Sequence, residues 1–233
     1  MRYAGELAAL GTAVCWSAGS NFFAAAGRRM GSVVLNRLRI TAALAFLGAA
    51  LWLLRGSPWP HWATHEQVAL LALSGVIGFV FGDTAYFRAL VILGPGRASL
   101  VASLAPAMTA LLAMPLLGEH LGPLAWLGMA TTLAGIAWVL GARRADAPEH
   151  VEGSWMVGVA AGVLGALGQA GGYVISKLAL RTGLDPLSAT VIRIGAAAVA
   201  VWAVALAQGS AAKSFEALRD RRASAFMVAG AFC

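Results

Sequence analysis

Residues 98–118 read ASLVASLAPAMTALLAMPLLG, a stretch with no Asp, Glu, Lys or Arg. A helix rises about 1.5 Å per residue, so about 20 apolar residues cross a hydrocarbon core of roughly 30 Å. Outward from this stretch the pattern recurs. Leu7 to Gly27, Leu121 to Ala142, Gly153 to Ser176 and Ile194 to Ala212 are also free of charge. Charged residues make up 12% of the 233, and mean hydropathy is +0.77. A soluble domain carries roughly 25% charged residues. Half that density cannot coat a water-facing surface, so the chain reads as an all-α, polytopic transmembrane helical bundle.

The spans are expected at about 5–26, 33–54, 67–90, 97–117, 123–141, 154–177 and 187–208. A final apolar run starts at Ala223 and is about half a span long at Cys233. Net charge is +7. Most of the cations lie in short loops, among them Arg28, Arg29, Arg143, Arg144, Arg219, Arg221 and Arg222. That distribution sets topology and touches lipid headgroups; no nucleic-acid motif accompanies it. Counted alone, the loop cations place the N-terminus outside. Two cysteines, Cys15 and Cys233, leave no disulfide framework.

The polar stretch 142–152 divides the chain into 5–141 and 153–233. Gly5 and Gly153 open the two parts. Leu38-Arg39-Ile40 resembles Ile192-Arg193-Ile194, and Ser74-Gly75 resembles Ala229-Gly230. Five spans before the divider make a second copy enter the membrane from the other side. That is an inverted-topology repeat, a transporter architecture. By the same offset Cys233 matches Gly78, so a complete second copy needs roughly 60 further residues. The expectation is a five-plus-five bundle, of which this chain carries about seven and a half helices, C-terminally truncated.

Asp83 follows sixteen uncharged residues, Gln67 to Gly82. A carboxylate at that depth is costly and marks a substrate or proton path. Its other reading is a local ion pair with Arg88, Arg39 or Arg193. Arg39 and Arg193 occupy matching places in the two copies; they either snorkel to the headgroups or line a central cavity and engage an anionic group. Arg37, on another face, is the one expected to snorkel. Trp16, Ser17, Ser20 and Asn21 form a polar stripe in the first span. Gln169 falls opposite Asn21, so the two amides either wall a polar cavity or bond between helices. Pro106 frees a backbone carbonyl in mid-span, at a site border or a packing kink. Glu119, in the Gly118–Gly122 turn, is placed to cap the next helix. Metal and enzyme motifs are missing: His61 and His65 read as solvated loop residues, no HExxH, P-loop or GxSxG is present, and Val80 stands where a GxGD motif needs glycine.

Gly82-Asp83-Thr84-Ala85-Tyr86-Phe87-Arg88-Ala89-Leu90 runs into Gly94-Pro95-Gly96-Arg97-Ala98-Ser99, then Ser103-Leu104-Ala105-Pro106 and Leu116-Leu117-Gly118-Glu119, with Gly128 and Gly135 beyond. This series resembles the EamA-type domain of the drug/metabolite transporter superfamily. The resemblance covers about 5–141 and, as a clipped copy, 153–233. It implies ten helices in two inverted halves and cytoplasmic termini, the reverse of what the loop charges say. It also implies an inner-membrane secondary transporter that exports or exchanges small metabolites, amino acids or related solutes, by alternating access. It marks Glu119 as a signature position. The expected partners are a small-molecule substrate, the bilayer and a proton as coupling ion, with no cofactor. The alternative is a membrane scaffold or small-molecule sensor on the same fold.

Overall fold

The computed structural model describes residues 4–142 and 155–232. The divider at 142–152 therefore lies, beyond its first residue, outside the described residues. The chain forms α1 (Ala4–Met30), α2 (Ser32–Arg55), α3 (His65–Gly75), α4 (Asp83–Leu93), α5 (Pro95–Ala102), α6 (Ala105–Leu117), α7 (Pro123–Ala142), α8 (Trp155–Leu180), α9 (Pro186–Ala207), α10 (Ala211–Leu218) and α11 (Arg221–Phe232). Among the described residues, five continuous helical segments are long and apolar enough to cross a membrane: α2, α3 through α4, α5 through α6, α8 and α9. The chain is a multi-pass membrane protein. α1 has 27 residues but is not among the five; Ser17, Ser20 and Asn21 dilute its apolar run. The apolar stretch of α7, Pro123–Val139, is shorter. Among the described side chains of α7 only Ile136 is buried, so that helix stands at the periphery.

Turn chemistry matches the sequence. Gly31, Gly94 and Gly118 adopt φ of 82°, 79° and 67°, which a side chain would strain. Pro95 follows Gly94 at the first turn of α5, where its missing N–H costs nothing. Thr64 and Gln67 close a reciprocal capping box on α3. Asp185 caps α9 by accepting from Ser188 N at 3.0 Å.

Three expectations give way. The third span is not one regular helix: between α3 and α4, Val76–Gly82 winds as a π-helix, and the Asp83 N–H reaches back to the Gly78 carbonyl. The fourth span breaks at Ser103 and Leu104, so Pro106 sits in the first turn of α6 rather than in mid-helix. The short loop expected around Arg219, Arg221 and Arg222 is preceded by α10, whose Ser214 is buried under α2.

α8 is the central strut. It packs along α3, the π segment and α4 on one side and against α6 on another. α1 packs on α11, and α2 on α9. The α8 seam is built from glycines. A Cβ on Gly168 would stand 2.6 Å from Gly82 Cα, and one on Gly172 would stand 3.0 Å from Gly78 Cα. Ser74 Oγ donates to the Gly172 carbonyl at 2.6 Å. Backbones approach this closely only where small residues face each other. The apolar core around the seam includes Leu35, Phe87, Leu90 and Val101, with separate clusters of Ile40, Ile194 and Ala197 and of Leu71, Ala179 and Ile192.

Candidate functional site

The π segment ends on Asp83 and turns it inward, where the residue is 5% exposed. Its carboxylate accepts from Arg39 Nη2 of α2 and from Gln169 Nε2 of α8. Arg39 Nη2 also donates to Asn36 Oδ1 at 3.2 Å. Asn36 Nδ2 in turn donates to the Phe79 carbonyl at 2.7 Å and to Thr84 Oγ1 at 2.9 Å. Phe79 lies inside the π segment, where widened winding relaxes the usual ladder and gives a side-chain donor access to the carbonyl. The result is a polar chain, Gln169–Asp83–Arg39–Asn36, tying α8, α4 and α2 together inside the bilayer. A buried carboxylate is tolerable there because it is both paired and hydrogen-bonded.

Two adjoining cavities open on this chain. The smaller, about 250 Å³, is lined by Asp83, Arg39, Ser20 and Phe79. The larger, about 800 Å³, lies among α5, α6 and α8 and is lined by Ser99, Pro106, Thr109, Glu119 and Lys177. Trp16, Tyr86, Gln169 and Tyr173 border both. Trp16 stacks on Tyr86 with ring centroids 5.8 Å apart. Arg193, 7% exposed, lays its guanidinium over the rings of Phe79 (4.7 Å) and Tyr173 (5.7 Å), both of which line the smaller cavity. Its Nε and Nη2 have no hydrogen-bond partner among the described residues, and neither has Gln169 Oε1. A buried donor and a buried acceptor without partners are costly unless a ligand or water supplies what is missing.

Of the residues expected in a substrate or proton path, Asp83, Arg39, Gln169 and Trp16 come together, Arg193 packs against the wall beside them, and Pro106 lines the larger cavity. Asn21 does not join them. Its amide donates to the Ser17 carbonyl of its own helix at 2.9 Å, and the residue is exposed. Asp83 pairs with Arg39 rather than with the adjacent Arg88. Arg37 does not snorkel: it is 2% exposed and donates to Ser214 Oγ (2.7 Å) and to the Ser210 carbonyl (3.2 Å). Glu119 does not spend its carboxylate on α7. It accepts from Lys177 Nζ at 2.5 Å and lies 3.5 Å from Arg181 Nη2. The Lys177 hydrogen bond, helped by the charges of Lys177 and Arg181, holds the Glu119 carboxyl below its ordinary value. Sequence reading missed Asn36, Tyr86 and Tyr173. Asn36 carried a signal, an amide four residues into an apolar span; the two tyrosines carried none that separates a cavity wall from core.

Residues 3–141 match the EamA-like transporter family. The chain belongs to that family. It is thereby a member of the drug/metabolite transporter superfamily, and the match covers the α1–α7 half that contributes Asp83, Arg39 and Trp16. A curated relative, the aromatic amino acid exporter YddG of Ancylobacter novellus, is 38% identical over 117 residues. The aligned stretch is 49% of this chain and 37% of that relative's length.

Proposed function

We propose that this EamA-family protein is an inner-membrane secondary transporter that moves small amino acids or related zwitterions through the cavity walled by Trp16, Tyr86 and Tyr173, with Asp83 as the polar centre. The observation that carries the reading is the buried Asp83–Arg39–Gln169 cluster opening on two adjoining cavities within the membrane-spanning helices. A polar cluster of this kind at bilayer depth marks a solute or ion path. Trp16, Tyr86 and Tyr173 offer ring faces to an apolar side chain, while Arg39 and Asp83, which line the smaller cavity, suit a carboxylate and an ammonium. The name of the A. novellus relative, an aromatic amino acid exporter, agrees with aromatic walls.

Alternating access follows from two inverted halves, 5–141 and 153–233. Helix contacts support the repeat. By sequence offset α8 corresponds to α1, α9 to α2, and α11 to the third span. The third span packs on α8 as α11 packs on α1, and α2 packs on its own counterpart, α9. In this scheme the Asp83–Arg39 pair exchanges with a proton or with the solute during the cycle. The test is uptake of radiolabelled phenylalanine and alanine into vesicles holding the purified protein, with Asp83→Asn alongside. Saturable flux lost in Asp83→Asn supports the site. Flux unchanged in that variant across pH removes the proton role. A folded protein that carries no amino acid would favour the sensor or scaffold reading.

A further inference from the structure

A third cavity, about 430 Å³, lies away from the first two, on the face formed by α2, the π segment, α4, α8 and α9. Its polar residues include Arg37, Arg88 and Thr84, and its apolar ones include Phe81, Leu164 and Val204. No carboxylate lines it among the described residues. Arg88 is exposed and makes no hydrogen bond or ion pair with any described residue. Arg37 is buried, yet all its acceptors are neutral oxygens: the Ser210 carbonyl, Ser210 Oγ and Ser214 Oγ. Its Nε has no hydrogen-bond partner among the described residues. Apart from the Trp202 ring, 5.6 Å from the Arg37 guanidinium, two positive charges therefore face one cleft with no counterion among the described residues.

Depth decides what neutralises them. Arg37 lies five residues after the start of α2, and Arg88 five before the end of α4. Both are about 7 Å inside the same end of the bundle. Gln208, just past the end of α9, lines the cleft at the same end of the bundle. Toward the middle of the bilayer the cleft turns apolar, and its walls face outward: Phe81 is 68% and Leu164 60% exposed. A charged mouth at headgroup depth over an outward-facing apolar trough has the polarity of a phospholipid.

We propose that this cleft binds one anionic phospholipid, its phosphate held by the exposed guanidinium of Arg88 with the buried positive charge of Arg37 behind it, and an acyl chain along Phe81, Leu164 and Val204. Guanidinium forks bind phosphate oxygens with paired N–H bonds. Binding here ties α2, α4 and α9 together at one end and stands apart from the solute cavity, so it holds whether or not the transport reading does.

The test is native mass spectrometry of the whole protein in neutral detergent, titrated with dioleoylphosphatidylglycerol, dioleoylphosphatidylcholine or inorganic phosphate. Wild type should keep one phosphatidylglycerol at a concentration where phosphatidylcholine is stripped. Arg88→Gln, at an exposed position, should weaken that binding at least tenfold. Leu164→Trp, which fills the trough, should do the same without touching either arginine. Equal retention of the two lipids would overturn the proposal. So would displacement by inorganic phosphate alone, or a lipid-free dimer that buries this face. Both variants should keep the wild-type melting temperature, which separates lost binding from lost fold.

Discussion

Removing Arg39 should harm this protein more than removing the charge it pairs with, and the structure says by how much. Arg39→Met keeps the length of the stem and deletes the guanidinium. Asp83, with its side chain 7% exposed, is then left with the Gln169 amide and no cation in contact. Breaking a buried pair from one side costs about 3–5 kcal/mol. Asp83→Asn is the milder change, because its carboxamide oxygen still accepts from Gln169. The stranded guanidinium, 17% exposed, keeps the Asn36 bond at 3.2 Å and the Phe87 ring at 5.3 Å. Its cost should be about 1–3 kcal/mol. In the double variant neither charge of the pair remains, so the cycle should give a coupling of about 2–3 kcal/mol. That stands above the roughly 0.6 kcal/mol average of hydrogen bonds between membrane helices. The assay is reversible unfolding in mixed micelles, following tryptophan fluorescence. A coupling under about 0.5 kcal/mol, or Asp83→Asn more damaging than Arg39→Met, would refute the ion-pair account of this site.

Gly75→Ala should destabilise by about 1–3 kcal/mol, because the added Cβ collides with the Arg193 carbonyl, whereas Gly128→Ala in α7 meets nothing and should be neutral or stabilise by up to about 1 kcal/mol; thermal melts of both in one detergent check this. Glu119 has its carboxyl held low by Lys177, so its contribution is present above the ordinary carboxylate value and is lost as pH falls through the lowered one. Wild type should therefore melt above Glu119→Gln at neutral pH and converge with it in acid; a gap that persists at pH 2 would count against the pairing. Asp185→Ala removes the N-cap of α9 and should cost about 1 kcal/mol by denaturant unfolding, and Asp185→Ser should restore most of it.

Spans were legible because an uncharged run of twenty residues has few alternatives, and α2, α8 and α9 follow the expected segments within a few residues. Asp83 and Gln169 stood out because each is polar where its neighbours are not. What depth along a helix cannot reveal is azimuth. Asn21 and Gln169 occupy matching depths, yet one faces outward and the other the cavity. Arg37 and Arg39 sit two residues apart, about 200° around the helix, and nothing local says which face meets α10. The reading sent the Arg37 side chain out into the headgroups; Ser210 and Ser214, at the start of α10 and 173 and 177 residues along the chain, draw it inward and bury it instead. The π segment was invisible for the same reason: its register answers to Asn36 and to the α8 glycines, not to its own sequence.

That glycine seam has a mechanical consequence. Ordinary helix pairs interlock like gears, ridge in groove, and one helix can shift past the other only by lifting side chains over side chains. Where Gly165, Gly168 and Gly172 run against Gly78 and Gly82 there are no teeth. The joint is a plain bearing. Sliding along it lifts no side chain over another, while the Asp83–Gln169 and Ser74–Gly172 bonds join α8 to the third span and act as the pins that set where the slide comes to rest.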